Sequence, residues 1–393
     1  MSEWIIIHSD LDSGGGGERV CLEVARAIYE NFGSKPSLLL IKKPQKASGL
    51  RLLYGYHHYI NKLMWLSDSA TPITLKSTLS QILLKLSKKH SKIFVNSGLY
   101  SSALLGLITY VHYPFNLDLH STFSDMKRIY GFFTIAMNDF LNFIYHLSES
   151  ELHKKILIFN STYTLHKTIQ LAKRLSTIAP ATYTVISNAK KYVVFPPVES
   201  KIIAENVPLK NDREDTVVIL SRISREKKLE YSILILRLLH QFFGIRAKLY
   251  IIGSLNDITY YQYLKSLAKR MHLEDHISFF LDVDEETKIR LLSKGKVLFH
   301  PMPGEHFGIA IVEAMAAGLI PVINRESGIG SLRILDEKRL YSDLEKPLDI
   351  ARIIAEVLNN WSLEYAYKLR KIALLFDSEN FRQRIGEILH EVH

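Results

Sequence analysis

A single cysteine, Cys21, in 393 residues excludes an internal disulfide and predicts a reducing, cytoplasmic setting. Glycine (19) and proline (12) are too sparse for a collagen-like or low-complexity chain. No stretch supplies the roughly 18–20 uninterrupted apolar residues that a membrane-spanning helix needs. The nearest approach, residues 131–147, carries Phe132, Phe133, Ile135, Met137, Phe140, Leu141, Phe143 and Ile144 but is broken by Asn138, Asp139 and Asn142. It reads as a core helix, with a membrane-surface role second. No secretory leader is expected, because Met1 leads at once into the short run Trp4-Ile5-Ile6-Ile7, which reads as a first strand. The 16 histidines are scattered, and His57-His58 alone is too little for a ligand set, so no metal site is expected. Gly-x-Ser-x-Gly is missing, which removes the nucleophile elbow. Helix-turn-helix, RRM and zinc patterns are missing too, so no nucleic-acid partner is expected.

What is present is a folded composition, 47% hydrophobic and 23% charged, in a chain long enough for two domains. The net charge of +10 is one-sided. Residues 1–196 hold 22 Lys and Arg against 12 Asp and Glu, whereas residues 197–393 hold 28 of each. A nucleic-acid binder or a protein resting on an anionic membrane would both show such a half. Short apolar runs alternate with amphipathic stretches. Trp4–His8, Ser37–Ile41, Ile93–Asn96, Leu107–His112 and Ile156–Asn160 read as strands, as do Thr216–Ser221, Lys248–Gly253, Ile277–Phe280, Val297–His300 and Ile320–Ile323. Arg19–Phe32, Leu229–Phe243 and Thr259–Met271 read as helices between them. This alternation predicts parallel sheets covered on both faces. Phe195-Pro196-Pro197 and the polar stretch Glu199–Asp215 interrupt it, which predicts an N-terminal domain over 1–198 and a second α/β domain from 199 to 377.

The strongest motif follows the apolar run Val297–His300. Pro301-Met302-Pro303-Gly304 must turn, and Glu305-His306-Phe307-Gly308 then opens a helical stretch that Gly318 closes. Ile309, Val312 and Met315–Ala316 fall on one helical face, which predicts a buried stripe. A helix start offers unpaired N–H groups and partial positive charge, suited to a diphosphate. Glu305 and Glu313 beside it could accept bonds from sugar and ribose hydroxyls. The plain alternative is an ordinary helix with a first-turn acid and a solvated one. After the strand Val217–Leu220 comes Ser221-Arg222-Ile223-Ser224-Arg225-Glu226-Lys227-Lys228. Arg222 and Lys227, at the C-terminal end of a parallel strand, could neutralise a leaving diphosphate, or the loop is simply basic and solvated. Arg225 and Lys228 are expected to face solvent. Gly14-Gly15-Gly16-Gly17, between the first strand and the first helix, lets phosphate or sugar approach the backbone. Its spacing matches neither the dinucleotide fingerprint nor Walker A. His112 in Tyr110-Val111-His112-Tyr113-Pro114 ends a strand, as a packed or capping residue or as one that bonds a substrate hydroxyl.

Together these segments resemble the retaining family 4 glycosyltransferases. The match runs in order through the Gly-rich loop, Arg222 and Lys227, and Glu305 and Glu313. The resemblance implies the GT-B fold: an α/β chain of two Rossmann-like parallel-sheet domains facing each other across a cleft, with a C-terminal helix crossing back to the first domain. Phe376–Phe381 resembles the start of that helix, so residues 378–393 join the N-terminal domain. Within the family, Gly14–Val20, Tyr110–Pro114, Asn160–Thr164 and Glu305–Ile309 are similar to segments of the α-1,2-mannosyltransferases that extend the dolichol-linked oligosaccharide. That implies GDP-mannose as donor substrate, no cofactor or metal, a lipid-linked or polysaccharide acceptor, and a peripheral place at the cytosolic face of a membrane. The anchor of those enzymes is not matched. After Ile323 the chain reads Asn324-Arg325-Glu326-Ser327-Gly328-Ile329-Gly330, where the family usually carries a Gly-Gly turn. The implied roles are Glu305 on the transferred sugar with Phe307, Gly308 and Ile309 around it, and Glu313 on ribose. Arg222 and Lys227 fall on the leaving diphosphate, Gly15, Gly16 and Gly17 on the donor, and His112 on sugar or acceptor. Three other readings stand beside this one: a family 4 enzyme using UDP-glucose or UDP-N-acetylglucosamine, a basic nucleic-acid-binding protein, and an inactive scaffold.

Overall fold

The computed structural model describes residues 3–9, 11–12, 15–45, 53–67, 92–97, 106–114, 135–136, 139–140, 143 and 155–392. Two compact units divide the chain: residues 1–197 with 379–393, and residues 198–378.

Among the described residues the N-terminal unit carries seven parallel strands: β1 (Trp4–His8), β2 (Ser37–Lys42), β3 (Lys62–Ser67), β4 (Lys92–Ser97), β5 (Ile108–Val111), β6 (Ile156–Phe159) and β7 (Lys190–Val193). They lie in the order β3-β2-β1-β4-β5-β6-β7. β1 is central, with Ile6 opposite Leu38 on one side and Phe94 on the other. All five of its residues are buried, as a strand covered on both faces requires. Alternate side chains feed two cores. Trp4, Ile6, Phe94, Tyr110 and Ile158 meet the apolar face of helix Gly16–Phe32, and Ile5, Ile7, Val95 and Phe159 face the other way. Helix Ser378–His390 belongs to this unit from Glu379 onward and adds Phe381, Ile385, Ile388 and Leu389 to the first core. Arg382 ties it down by donating to the buried Glu23 at 2.8 Å.

The C-terminal unit repeats the plan with six parallel strands: β8 (Thr216–Leu220), β9 (Lys248–Gly253), β10 (Ile277–Leu281), β11 (Val297–His300), β12 (Ile320–Asn324) and β13 (Leu340–Tyr341). Their order is β10-β9-β8-β11-β12-β13. Helix Ile309–Ala316 lies against helices Ser200–Asn206 and Leu363–Leu374. The single buried stripe expected for it is therefore corrected. Every residue from Ile311 to Ala316 is buried, Glu313 included, because packed elements surround it. Its C-terminal carbonyls are satisfied by side chains: Ala316 accepts from Arg370 Nε at 2.7 Å, Ala317 from Arg213, and Gly318 from Trp361 Nε1 at 3.2 Å. Gly318 has φ 85°, the left-handed geometry that ends a helix.

The ten strands expected from sequence are all present. The additional β3, β7 and β13 are all sheet-edge strands. Of the stretch 131–147, Ile135 is buried while Phe140 and Phe143 expose 61% and 59%, so those two rings are not core. Asp139 of the same stretch accepts from Thr182 N at 2.7 Å, Ala136 is exposed, and the remaining residues of the stretch, with Ser13 and Gly14 of the glycine loop, lie outside the described residues.

Candidate donor site and its N-terminal counterpart

In a doubly wound sheet the chain reverses its winding direction at one place, and the loops leaving the two strands there diverge to open a crevice. The strand order places that point between β8 and β11 in one unit and between β1 and β4 in the other. The loops that leave these strands carry most of the residues singled out above.

β8 runs out into Ser221 and Arg222, followed by a short 3-10 turn, Arg225–Lys227. Lys228 closes that turn at φ 55°, a left-handed conformation that costs a non-glycine residue about 1 kcal/mol. β11 ends at His300, and Pro301 behind it restricts His300 to extended backbone. The two loops meet through side chains. Lys227 Nζ donates to Glu305 Oε2 at 2.9 Å and to Met302 Sδ at 3.1 Å. His300 Nε2 donates to the same Oε2 at 3.0 Å. Burial pushes the Glu305 carboxyl up, but the Lys227 ammonium and then the His300 bond outweigh it and hold the carboxyl well below its usual range. Glu305 is therefore a fixed carboxylate. Both of its donors among the described residues sit on Oε2, so Oε1 is left to accept from a ligand.

Helix Ile309–Ala316 starts beside this carboxylate. Its cap, Gly308, has φ 101°, a conformation side chains rarely adopt. Phe307 does not offer its ring to a ligand. It is 2% exposed and packs on Phe376, so backbone amides are what the segment can present. The segment that departs from the family pattern braces this loop. Gly328 N donates to Glu305 O at 2.8 Å and Ile329 N to Phe307 O at 3.1 Å. A Cβ at Gly328 would stand 2.4 Å from Phe307 Cα, so this contact requires glycine. Glu313 accepts from Lys288 Nζ at 3.0 Å, and Lys288 also reaches Glu285 at 2.7 Å.

Arg222 is not brought onto Glu305. It is half-exposed and lies 3.7 Å from Glu226. Arg225 and Lys228 face solvent as expected, and Arg225 there pairs with Asp257 at 3.5 Å and lies 5.5 Å from the Tyr260 ring centre. His300 and Lys288 went unassigned in the sequence. The end of an apolar strand at a winding reversal could have flagged His300. Nothing local marks Lys288, whose Glu-Glu-Thr-Lys setting looks like a solvated helix face.

In the N-terminal unit, His112 Nε2 donates to Asn96 Oδ1 at 2.7 Å, and Asn96 Nδ2 donates to Gly17 O at 2.6 Å. The Gly17 carbonyl can only accept, which fixes the amide's orientation and places a proton on His112 Nε2. His8 closes the group, with Nδ1 3.2 Å from Asn96 Nδ2. A Cβ at Gly17 would lie 3.6 Å from His8 Cε1 and 3.7 Å from His112 Nε2. Glycine therefore keeps open the space in front of both rings. Gly15 N is already taken by the Glu18 carboxylate at 2.9 Å, a capping bond, which leaves Gly16 and Gly17 as the glycines for a ligand.

Residues 200–375 match the family model described as glycosyl transferases group 1. The match lies within the C-terminal unit. Over 373 residues this chain is 26% identical to the GDP-Man:Man(3)GlcNAc(2)-PP-Dol alpha-1,2-mannosyltransferase of Dictyostelium discoideum, covering 82% of this chain and 71% of that one. The human protein of the same name is 23% identical over 421 residues, covering 93% of this chain and 81% of the relative. Among solved structures, Anabaena HepE in complex with UDP and glucose superposes with a TM-score of 0.69 at 15% identity, over 99% of this chain and 100% of that one. That likeness concerns the fold. The chain thus has two Rossmann-like parallel-sheet units of the GT-B fold that its motifs implied.

Proposed function

We propose that this chain is a retaining mannosyltransferase that moves mannose from GDP-mannose onto a lipid-linked oligosaccharide. The carrying observation is the Lys227–Glu305–His300 group at the winding reversal of the C-terminal sheet, with Glu313 on the adjoining helix. The named relatives supply the choice of sugar and acceptor.

In this reading Glu313 accepts from the ribose hydroxyls and Glu305 Oε1 from a hydroxyl of the transferred sugar. The Phe307 and Gly308 backbone and Ile309 orient that sugar. The bond between the anomeric carbon and the diphosphate oxygen breaks, and charge builds on the diphosphate. Lys227 and Arg222 stabilise that charge, which is largest near the transition state. Half-exposed Arg222 pairs, among the described residues, with a neighbour on its own loop and is able to swing. The acceptor oxygen attacks the anomeric carbon from the face the diphosphate leaves, and its proton passes to the departing phosphate oxygen. The bonds balance without a protein nucleophile, cofactor or metal. In the N-terminal unit Gly16 and Gly17 leave room for phosphate or sugar, and His112, held by Asn96, positions sugar or acceptor. The excess of Lys and Arg in residues 1–196, with exposed Trp65, Leu66, Phe140 and Phe143, suits a peripheral place on an anionic membrane.

The test is a thermal-shift and calorimetry panel of GDP, UDP, GDP-mannose, UDP-glucose and UDP-N-acetylglucosamine. We expect GDP and GDP-mannose to stabilise the protein most. A clear preference for a uridine nucleotide would replace the mannosyl reading with the UDP-sugar one. No response to any of them would remove the transferase reading.

A further inference from the structure

Glu305 is held in an asymmetric way. Lys227 Nζ (2.9 Å) and His300 Nε2 (3.0 Å) converge on one oxygen, Oε2, and no described residue bonds Oε1. An ionised carboxylate only accepts, so the proton of the His300–Glu305 bond belongs to Nε2 whatever the charge of the ring. The ring is well fixed. His300 is 3% exposed, lies in ladder register opposite Ile323, has Pro301 behind it, and accepts at its carbonyl from Tyr341 Oη at 2.9 Å. Lys227 is held less firmly. Its ammonium sits on a flexible stem, and its other partner is the weak acceptor Met302 Sδ at 3.1 Å.

If Lys227 serves a leaving diphosphate, as the proposed function requires, it must share its protons between that group and Glu305. A carboxylate held by Lys227 alone would then be free to rotate when the sugar most needs a fixed partner. We infer that His300 is a positioning residue that keeps Oε2 anchored while Lys227 turns to the diphosphate, so that Oε1 stays aimed at a hydroxyl of the transferred sugar. His300 thereby governs recognition of the sugar and not of the nucleotide. This inference rests on the donor-site reading above.

The test compares two ligands on the full chain: GDP-mannose, which carries the sugar, and GDP, which does not. His300→Leu should weaken GDP-mannose about tenfold or more, the usual worth of a hydrogen bond to a charged group. It should leave GDP within about threefold. His300→Gln, whose amide can reach the carboxylate, should restore most of the loss. Equal losses for both ligands, or a glutamine variant no better than leucine, would show that His300 only supports the fold. If the leucine variant does not fold, His300→Asn carries the same expectation, because its amide stops short of Oε2. If the wild-type chain prefers a uridine sugar, the ratio is read with that sugar and UDP. If it binds no nucleotide sugar, the donor-site reading has failed, and the His300 contact is still tested by following the Glu305 carboxyl by carbon NMR. There, with Lys227 and His306 unchanged as neighbouring charges, His300→Leu should raise its titration midpoint. An unmoved midpoint overturns the inference.

Discussion

Replacing Lys227 by alanine separates two roles of one ammonium. In the resting structure Lys227 and Glu305 form an ion pair at 2.9 Å whose side chains are only 14% and 15% exposed. Removing one member of a buried pair costs about 3–5 kcal/mol, because the remaining charge is left without compensation. Here His300 still donates to Oε2, so the lower end, about 3 kcal/mol, is expected. At roughly 2–4 °C per kcal/mol for a domain of this size, the C-terminal unit should melt about 6–12 °C lower. Turnover should fall further than that loss explains. A missing donor to charge that develops in the transition state costs about 10²–10³ in kcat. The double variant Lys227→Ala/Glu305→Gln distinguishes the two effects, since it removes the uncompensated carboxylate as well. Differential scanning fluorimetry should show most of the melting temperature restored, while a radiolabelled-mannose transfer assay shows turnover as low as before or lower. Turnover of the single variant within about tenfold of wild type, or recovered turnover in the double variant, would refute the leaving-group role.

Glu313→Ala should weaken GDP binding about tenfold by calorimetry, roughly 1.4 kcal/mol, while Lys288 keeps Glu285 as a partner; an unchanged affinity refutes the ribose assignment. Gly318→Ala should destabilise by at least about 1–2 kcal/mol with GDP affinity preserved, since φ is 85° and the new Cβ would lie 2.2 Å from Leu209 Cδ2. A melting temperature equal to wild type counts against that strain. Because Glu305 titrates well below its ordinary value, its ion pair contributes fully above the unfolded carboxyl range and is lost only as pH falls through the lowered folded value. The melting difference between wild type and Glu305→Gln should therefore hold steady from pH 8 to about 5 and shrink only below about pH 4. Shrinkage already between pH 7 and 5 would contradict the lowered carboxyl.

Local grammar carried the fold. Strand ends were legible where an apolar run met glycine or proline, as at His300-Pro301, and helix ends where glycine takes φ near 85°, as at Gly318. The three unforeseen strands, Lys62–Ser67, Lys190–Val193 and Leu340–Tyr341, each have a neighbour on one side alone. An edge strand need not be apolar on both faces, so its sequence carries a weaker signal. The candidate site was legible in the residues proposed to face a ligand and not in their partners. Glu305 and Lys227 stand out through the turns beside them, but they lie 78 positions apart, and which groups they bond depends on how β8 and β11 are juxtaposed. Asn96 shows the same limit. In sequence it is a polar residue closing an apolar strand, and only the parallel register of β4 with β1 and β5 sets its amide between His8, Gly17 and His112.

Cys21 lies fully buried on the first helix, and burial, aided by the Glu18 charge, pushes its thiol far up. Reagents that attack thiolates will find almost none there. The natural chain is thus already a blank background for thiol labelling, with no cysteine to delete. A single exposed position, such as Lys35→Cys or Glu205→Cys, would accept one fluorophore whose signal could be followed as a nucleotide sugar is added. A thiol made unreactive by the packing of one unit so leaves every labelling position on the surface to choice.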